Sequence, residues 1–224
     1  MLDAVSAEPA TYAVRRSDRA RRVRVSVRAD GVVEVVLPRR APARLADEAV
    51  VELAPWIERR RAEVEAVRAR VVARGDTLPY LDETLTLRRE AGRTRVHRRG
   101  DVLLVPAADA EPGIERWYRR AARDEIAPRV AEATAALGVT ATKITIRNQR
   151  SRWGSCSASG ALSFNWRLLL GPAEILDYVV WHEACHLVHH DHSARFWSLL
   201  AAHRPDCRRQ QRWLRRHGAA LVLS

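Results

Sequence analysis

The chain has 224 residues, 47% hydrophobic and 29% charged, which excludes a disordered chain apart from the first ten residues or so and allows one domain or a domain with a smaller lobe. No run approaches the ~20 apolar residues that span a bilayer, and the opening MLDAVSAEPA lacks the basic and apolar regions of a signal peptide. Three cysteines without paired spacing suggest a reduced, cytoplasmic protein. The net charge of +12 is almost all arginine, with Lys143 the single lysine, and points to phosphate-bearing or acidic partners, or to arginine-rich solvated faces.

Residues 11–37 read as strands. RVRVSVR alternates with period two, ADG is a turn signal, and VVEVVLP is the return strand of a hairpin. Residues 42–74 switch to helical spacing at Leu45, Ala49, Val50 and Leu53, with Pro55 restarting the helix and Gly75 stopping it. Three strand-like runs over 77–106 predict a small antiparallel sheet, and AADAEPG, near 107–113, is the expected domain boundary. A helix follows over 113–137, interrupted at Pro128 and ended by Gly138. The stretch ATKITIRNQRSRWGSCSASGALSFNWRLLLG reads as two strands turning at SASG. Pro172 then opens a helix with Glu174 near its positive end, and a last helix is expected over about 193–216.

That penultimate helix runs into WHEACHLVHHDHSARFW, with five histidines between His182 and His192. His182 and His186 are four apart and share a helix face, about 6 Å apart along the axis, so both imidazoles can bind one Zn²⁺. Glu183 lies about 100° round, beside the metal, where a carboxylate can serve as base for a water. A catalytic zinc takes three protein ligands and keeps one open position. No glutamate follows Glu183, and the only methionine is Met1, which excludes two common ways of completing such a site. The third ligand must come from His189, His190, Asp191, His192 or His203. His189 would sit in a straight row with the first two, and His190 would point away. A chain break around His190–Asp191 would bring His192 back from the side, with Ser193 capping the next helix. His192 is therefore the expected third ligand.

WHEACHLVHHDHSARFW resembles the H-E-x-x-H-x5-H-S-x-x-F-W signature of the YgjP-like metal-dependent hydrolases, relatives of the SprT-like zinc metallopeptidases. SRWGSCSASGALSFNWRLLLGP resembles their W-G-S-C-S and N-x-x-L-x-x-x-P pattern, and RRSDRARRVRVSVRADGVVEVVLP with WIERRR resembles their first lobe. The resemblance implies a zincin-like catalytic lobe over 111–224, with helices on a small antiparallel sheet, and an α+β class overall, with an N-terminal β-hairpin and helix lobe over 1–110. It implies zinc on His182, His186 and His192, and Glu183 as catalytic base. The family usually has asparagine where this chain has Asp191, which adds one negative charge near the metal.

Other residues read more plainly. Trp153 reads as core and Gly154 as a tight turn, although the hairpin they begin could pair with an extended substrate. Cys185 reads as a small buried residue. Asn165 and Tyr178 are candidates for orienting ligands or stabilising an oxyanion. Phe196 and Trp197 read as core. Arg150 and Arg152 are candidate substrate-binding residues, and the arginines of RRQQRWLRRHG read as a solvated face. The expected function is a zinc-dependent metallopeptidase acting on polypeptides. The alternative is a metal-dependent hydrolase of nucleoside triphosphates, with the two arginines on the phosphates. A third possibility is a nucleic-acid-binding module with a structural metal, which a free Glu183 argues against. No membrane partner is expected.

Overall fold

The computed structural model describes residues 12–28, 31–73, 75–149 and 152–223. The expected disorder of the first ten residues lies outside them, as do Ala29 and Asp30 of the expected ADG turn. The chain forms two compact units, residues 1–72 and 73–224.

In the first unit the expected hairpin forms from β2 (Arg24–Val27) and β3 (Val33–Pro38), with Val25 opposite Val35 and Val27 opposite Val33. β1 (Tyr12–Ser17) joins the far side of β3 in parallel. Val33, Val35 and Leu37 alternate along β3, so they share a face. That face packs with Ala46 and Val50 of α1 (Arg44–Glu52) and Ile57 of α2 (Ala54–Ala73). Pro55 falls in the first turn of α2, where its missing N–H costs no hydrogen bond.

The second unit begins with β4 (Thr77–Tyr80), β5 (Glu83–Glu90), β6 (His97–Arg99) and β7 (Val102–Pro106), in the order β4-β5-β7-β6. The sheet is mixed, where the sequence suggested antiparallel pairing: β5 and β7 run parallel. β7 is the most deeply buried strand, with Leu103, Leu104 and Val105 almost fully enclosed, and it takes a central place. The three-residue β6 is left to the edge. Leu78, Leu85, Leu103 and Val105 share one core with Ile114, Tyr118, Ala122 and Ile126 of α3 (Ala110–Leu137). For that reason the division between units lies at 72/73, not near 107–113.

α3 continues through Pro128 without a break. Gly138, at φ 64°, ends it, and Val139 N–H reaches back to the Thr134 carbonyl at 3.0 Å. Arg129 ties α3 to α4 (Ala173–Cys185) by donating to Asp177 at 2.8 Å and Glu125 at 2.6 Å.

The expected pair of strands before α4 is three: β8 (Lys143–Arg147), β9 (Gly154–Cys156) and β10 (Ala161–Asn165), in the order β8-β10-β9. β8 is parallel to β10 and only β9 is antiparallel to it, so this sheet is mixed as well. Between β8 and β9 the chain leaves the sheet. Buried Asn165 holds it there, its Nδ2 donating to the Gln149 carbonyl at 2.7 Å while its Oδ1 accepts from Arg167 N–H at 3.1 Å. A 3-10 turn, Trp166–Leu170, leads to α4. The expected last helix is two, α5 (Ala194–His203) and α6 (Cys207–His217). Pro205 has no N–H and excludes the residue before it from helical conformation; Arg204 sits at φ −135°, ψ 80°. Phe164, Trp166 and Phe196 are fully buried, each contributing roughly 1.5–3 kcal/mol. Small sheets and helices segregated in this way make an α+β protein. Among the described residues no helix is long and apolar enough to cross a membrane.

Candidate metal centre

α4 is buried on almost every side. Ile175, Leu176, Tyr178, Val179, Val180, Trp181, Ala184 and Cys185 are all enclosed, so its polar residues are held by their surroundings. Glu174 stands in the first turn, where the helix dipole favours a carboxylate, and Arg209 of α6 pairs with it at 2.6 Å. The helix stops at His186, earlier than the break expected around His190–Asp191. Asp191 Oδ1 accepts from Ser193 N–H at 3.2 Å, and Ser193 Oγ caps α5 by accepting from Phe196 N–H at 3.5 Å. This turn carries His192 back over the end of α4.

Ligand-capable atoms of His182, His186 and His192 all lie within 4.8 Å of one another. His182 Nε2 and His192 Nε2 are 3.0 Å apart. His186 Nδ1 lies 2.9 Å from the His189 carbonyl, a contact that fixes the proton on Nδ1 and leaves Nε2 with its lone pair. His189 thus contributes its backbone, and its ring is outside the group. His203 stacks on Trp181 at 4.6 Å. Phe196 stacks on the His186 ring at 4.4 Å and walls the cluster on one side.

Burial pushes His182 down to about 3, helped by its two imidazole neighbours, and pushes His186 down as well. Neutral imidazoles are the form that binds metal. His182 Nδ1 is buried without a hydrogen-bond partner, and its Nε2 faces another ring nitrogen. A divalent cation shared by the three rings satisfies nitrogens that otherwise face one another, so the donor set fits a metal.

Glu183 is 6% exposed, and burial raises its carboxyl to about 7 against the opposing pull of Arg152 and of the Cys156 backbone N–H. β9 lies against it. The bonds from Asn165 N–H to the Trp153 carbonyl and from Ser157 N–H to the Ala161 carbonyl put residues 153, 155 and 157 in register with β10. Gly154 and Cys156 therefore direct their backbone groups to the free edge. A Cβ on Gly154 would lie 2.5 Å from Glu183 Cγ and 2.6 Å from Oε1. The glycine is needed for this close approach, where the sequence suggested a tight turn. Trp153 packs its indole on Gly218, whose added Cβ would come within 2.9 Å of it.

The profile of the YgjP-like metallopeptidase domain matches residues 21–217. The chain belongs to the YgjP-like family. No curated protein and no solved structure matches it. In this member of the family the structure gathers His182, His186 and His192, with Glu183 next to His182 on the same helix. Cys185 is fully buried, with its thiol pushed up to about 11. Arg152 is close enough to act on Glu183, whereas Arg150 lies outside the described residues. Asn165 Nδ2 donates to the carbonyls of Gln149 at 2.7 Å and Arg152 at 3.5 Å. Tyr178 lies 5.7 Å from the His182 ring and is pushed up to about 12 by burial.

Three features had no sequence signal: the His189 carbonyl, the Cys156 N–H and the approach of Arg208 to the site. Arg208 lies 3.6 Å over the Trp197 ring, which is 5.8 Å from His192 and 6.0 Å from His182.

Proposed function

We propose that this chain is a cytoplasmic, zinc-dependent peptidase with a zincin-like catalytic unit, in which His182, His186 and His192 hold the metal and Glu183 is the catalytic base. The observation that carries this is the convergence of three imidazoles within 4.8 Å, with a buried carboxylate next to the first of them on the same helix. Three nitrogen ligands with no thiolate or further carboxylate in the group suit zinc and leave an open position. The unpaired thiols of Cys156, Cys185 and Cys207 agree with a reducing compartment.

Zinc bound there would supply Lewis acidity, polarising a substrate carbonyl and making a water acidic near neutral pH. Glu183, whose burial favours the protonated form, takes a proton on its carboxylate and returns it to the leaving amine. Gly154 gives that carboxylate room, and the Cys156 N–H orients it. β9 is an edge strand, so an extended polypeptide can add alongside it in strand pairing. The closeness of Arg152 to Glu183 favours a second reading, hydrolysis of a nucleoside triphosphate with the guanidinium on its phosphates. The general basic surface, which could bind nucleic acid, would then serve localisation.

The test is to load purified protein with Zn²⁺ and offer denatured proteins and nucleoside triphosphates in parallel. Peptide release that disappears in Glu183→Ala supports the peptidase. Phosphate or pyrophosphate release with the same loss replaces it with the second reading. Activity toward either substrate that survives Glu183→Ala with metal retained defeats the catalytic assignment.

A further inference from the structure

The arginines of α6 are not equivalent. Arg209 is neutralised by Glu174 at 2.6 Å and Asp206 at 3.4 Å. Arg208, Arg212 and Arg215 have no ion pair among the described residues and are exposed. They stand at i, i+4 and i+7, a single helix stripe about 10 Å long. That stripe borders the metal centre. The Arg208 guanidinium lies 3.6 Å over the Trp197 ring, which packs by the His182 and His192 rings. Arg208 and Arg215 both act electrostatically on the Tyr178 hydroxyl, on the face of α4 that also carries His182. Exposed Arg152, close to Glu183, adds a fourth cation.

Unpaired guanidiniums beside a site attract anions and repel cations. The Trp197 contact holds Arg208 in place, and a guanidinium so held, with no ion pair among the described residues, suits a planar, bidentate acceptor such as a carboxylate. The stripe is too short for a long polyanion and matches one or two anionic groups next to the scissile bond.

We propose that Arg208 and Arg215 form a specificity subsite that selects polypeptides carrying an aspartate, glutamate or terminal carboxylate next to the bond cleaved. The proposal rests on the peptidase reading and names its substrate class. Charge-assisted hydrogen bonds of this kind give about tenfold or more in affinity.

Two measurements test it. The first is cleavage by the Zn²⁺-loaded protein of short peptides matched except for Glu, Gln or Lys at each position around the bond. The expected result is Glu over Gln by about tenfold in kcat/KM, carried by KM, with Lys poorest. In the double variant Arg208→Gln, Arg215→Gln the preference collapses while cleavage of the Gln peptide is kept, and Arg208→Lys restores part of it. The second is equilibrium binding of the same peptides to metal-loaded Glu183→Gln protein, which reads the subsite whether or not the bond is cut. Equal affinity for Glu and Gln peptides, or a preference unchanged in the double variant, overturns the subsite. Cleavage of no peptide, together with charge-selective binding, defeats the peptidase reading and leaves the subsite standing. Tighter binding of inorganic pyrophosphate than of any acidic peptide, lost in the double variant, overturns the carboxylate assignment in favour of phosphate.

Discussion

Replacing Glu183 by glutamine removes the charge at nearly constant shape, and its effect on stability follows from the burial of this side chain. The folded protein holds the Glu183 proton up to about 7, against an ordinary 4.5, with burial as the main cause. The native state therefore binds this proton more tightly than the unfolded chain does. Stability falls as pH rises from 4.5 to about 7, and the full cost is present above that. At roughly 1.4 kcal/mol per pKa unit the cost is on the order of 3 kcal/mol for the metal-free protein at pH 8. Glutamine resembles the protonated acid and keeps an oxygen to accept from the Cys156 N–H. Metal-free Glu183→Gln should be more stable than the parent by that order at pH 8, a rise of roughly 6–12 °C in Tm for a unit of this size. At pH 5, only half a unit above the ordinary value, the difference should shrink to about 1 kcal/mol. His182, pushed down to about 3, adds stability above 6.5 that is lost as pH falls toward 3, but it does so in both proteins and cancels from their difference. Added Zn²⁺ should shrink the gap at pH 8, because a nearby cation stabilises the carboxylate. The assay is thermal unfolding in chelator and in Zn²⁺ across pH 5–8. A variant no more stable than the parent at pH 8, or a gain equal at pH 5 and pH 8, would refute the reasoning.

Gly154→Ala should displace Glu183, since its Cβ would stand 2.5 Å from Cγ; we expect a stability loss of about 1–3 kcal/mol and a large fall in kcat with bound metal retained, read by unfolding, kinetics and metal analysis side by side. His192→Ala should lose stoichiometric zinc, whereas His189→Ala should keep it, because His189 contributes a backbone carbonyl to His186 and no ring nitrogen to the cluster; equal zinc content in the two variants would remove His192 from the ligand set.

The parts of the site that were legible in the sequence are those fixed by local geometry. His182 and His186 follow from helical spacing, and Ser193 declares itself as a cap by residue type. Asp191 marks a turn, although the helix stops before it, at His186, and the reversal is spread over the residues up to Ser193. What depends on pairing between distant segments was not legible. Nothing in TLTLRRE and DVLLVP states that these two strands run parallel with HRR at the edge, since alternation gives faces and not partners. The helix break at Arg204 could have been read from Pro205, and its neglect joined two helices into one. The arginine run of α6 shows the same limit for charge. Arg208 and Arg209 are adjacent and alike in sequence, yet one lies on Trp197 by the site and the other is neutralised by Glu174.

The two sides of the centre use burial in opposite senses. Enclosure keeps His182 neutral down to about 3, so its lone pair is available at any ordinary pH, while the same enclosure makes Glu183 hold a proton up to about 7. An exposed glutamate would be a poor proton acceptor near neutrality, and an exposed histidine would compete for protons with the metal. Burial of a carboxyl is costly, and the structure limits that cost locally with the Cys156 N–H and Arg152 while Gly154 removes the side chain that would stand in its place. The requirement is therefore for the helix and the β9 edge together. A variant that loosens their contact should lower activity while leaving the three imidazoles, which lie beyond that contact on α4 and the 186–192 turn, able to bind metal.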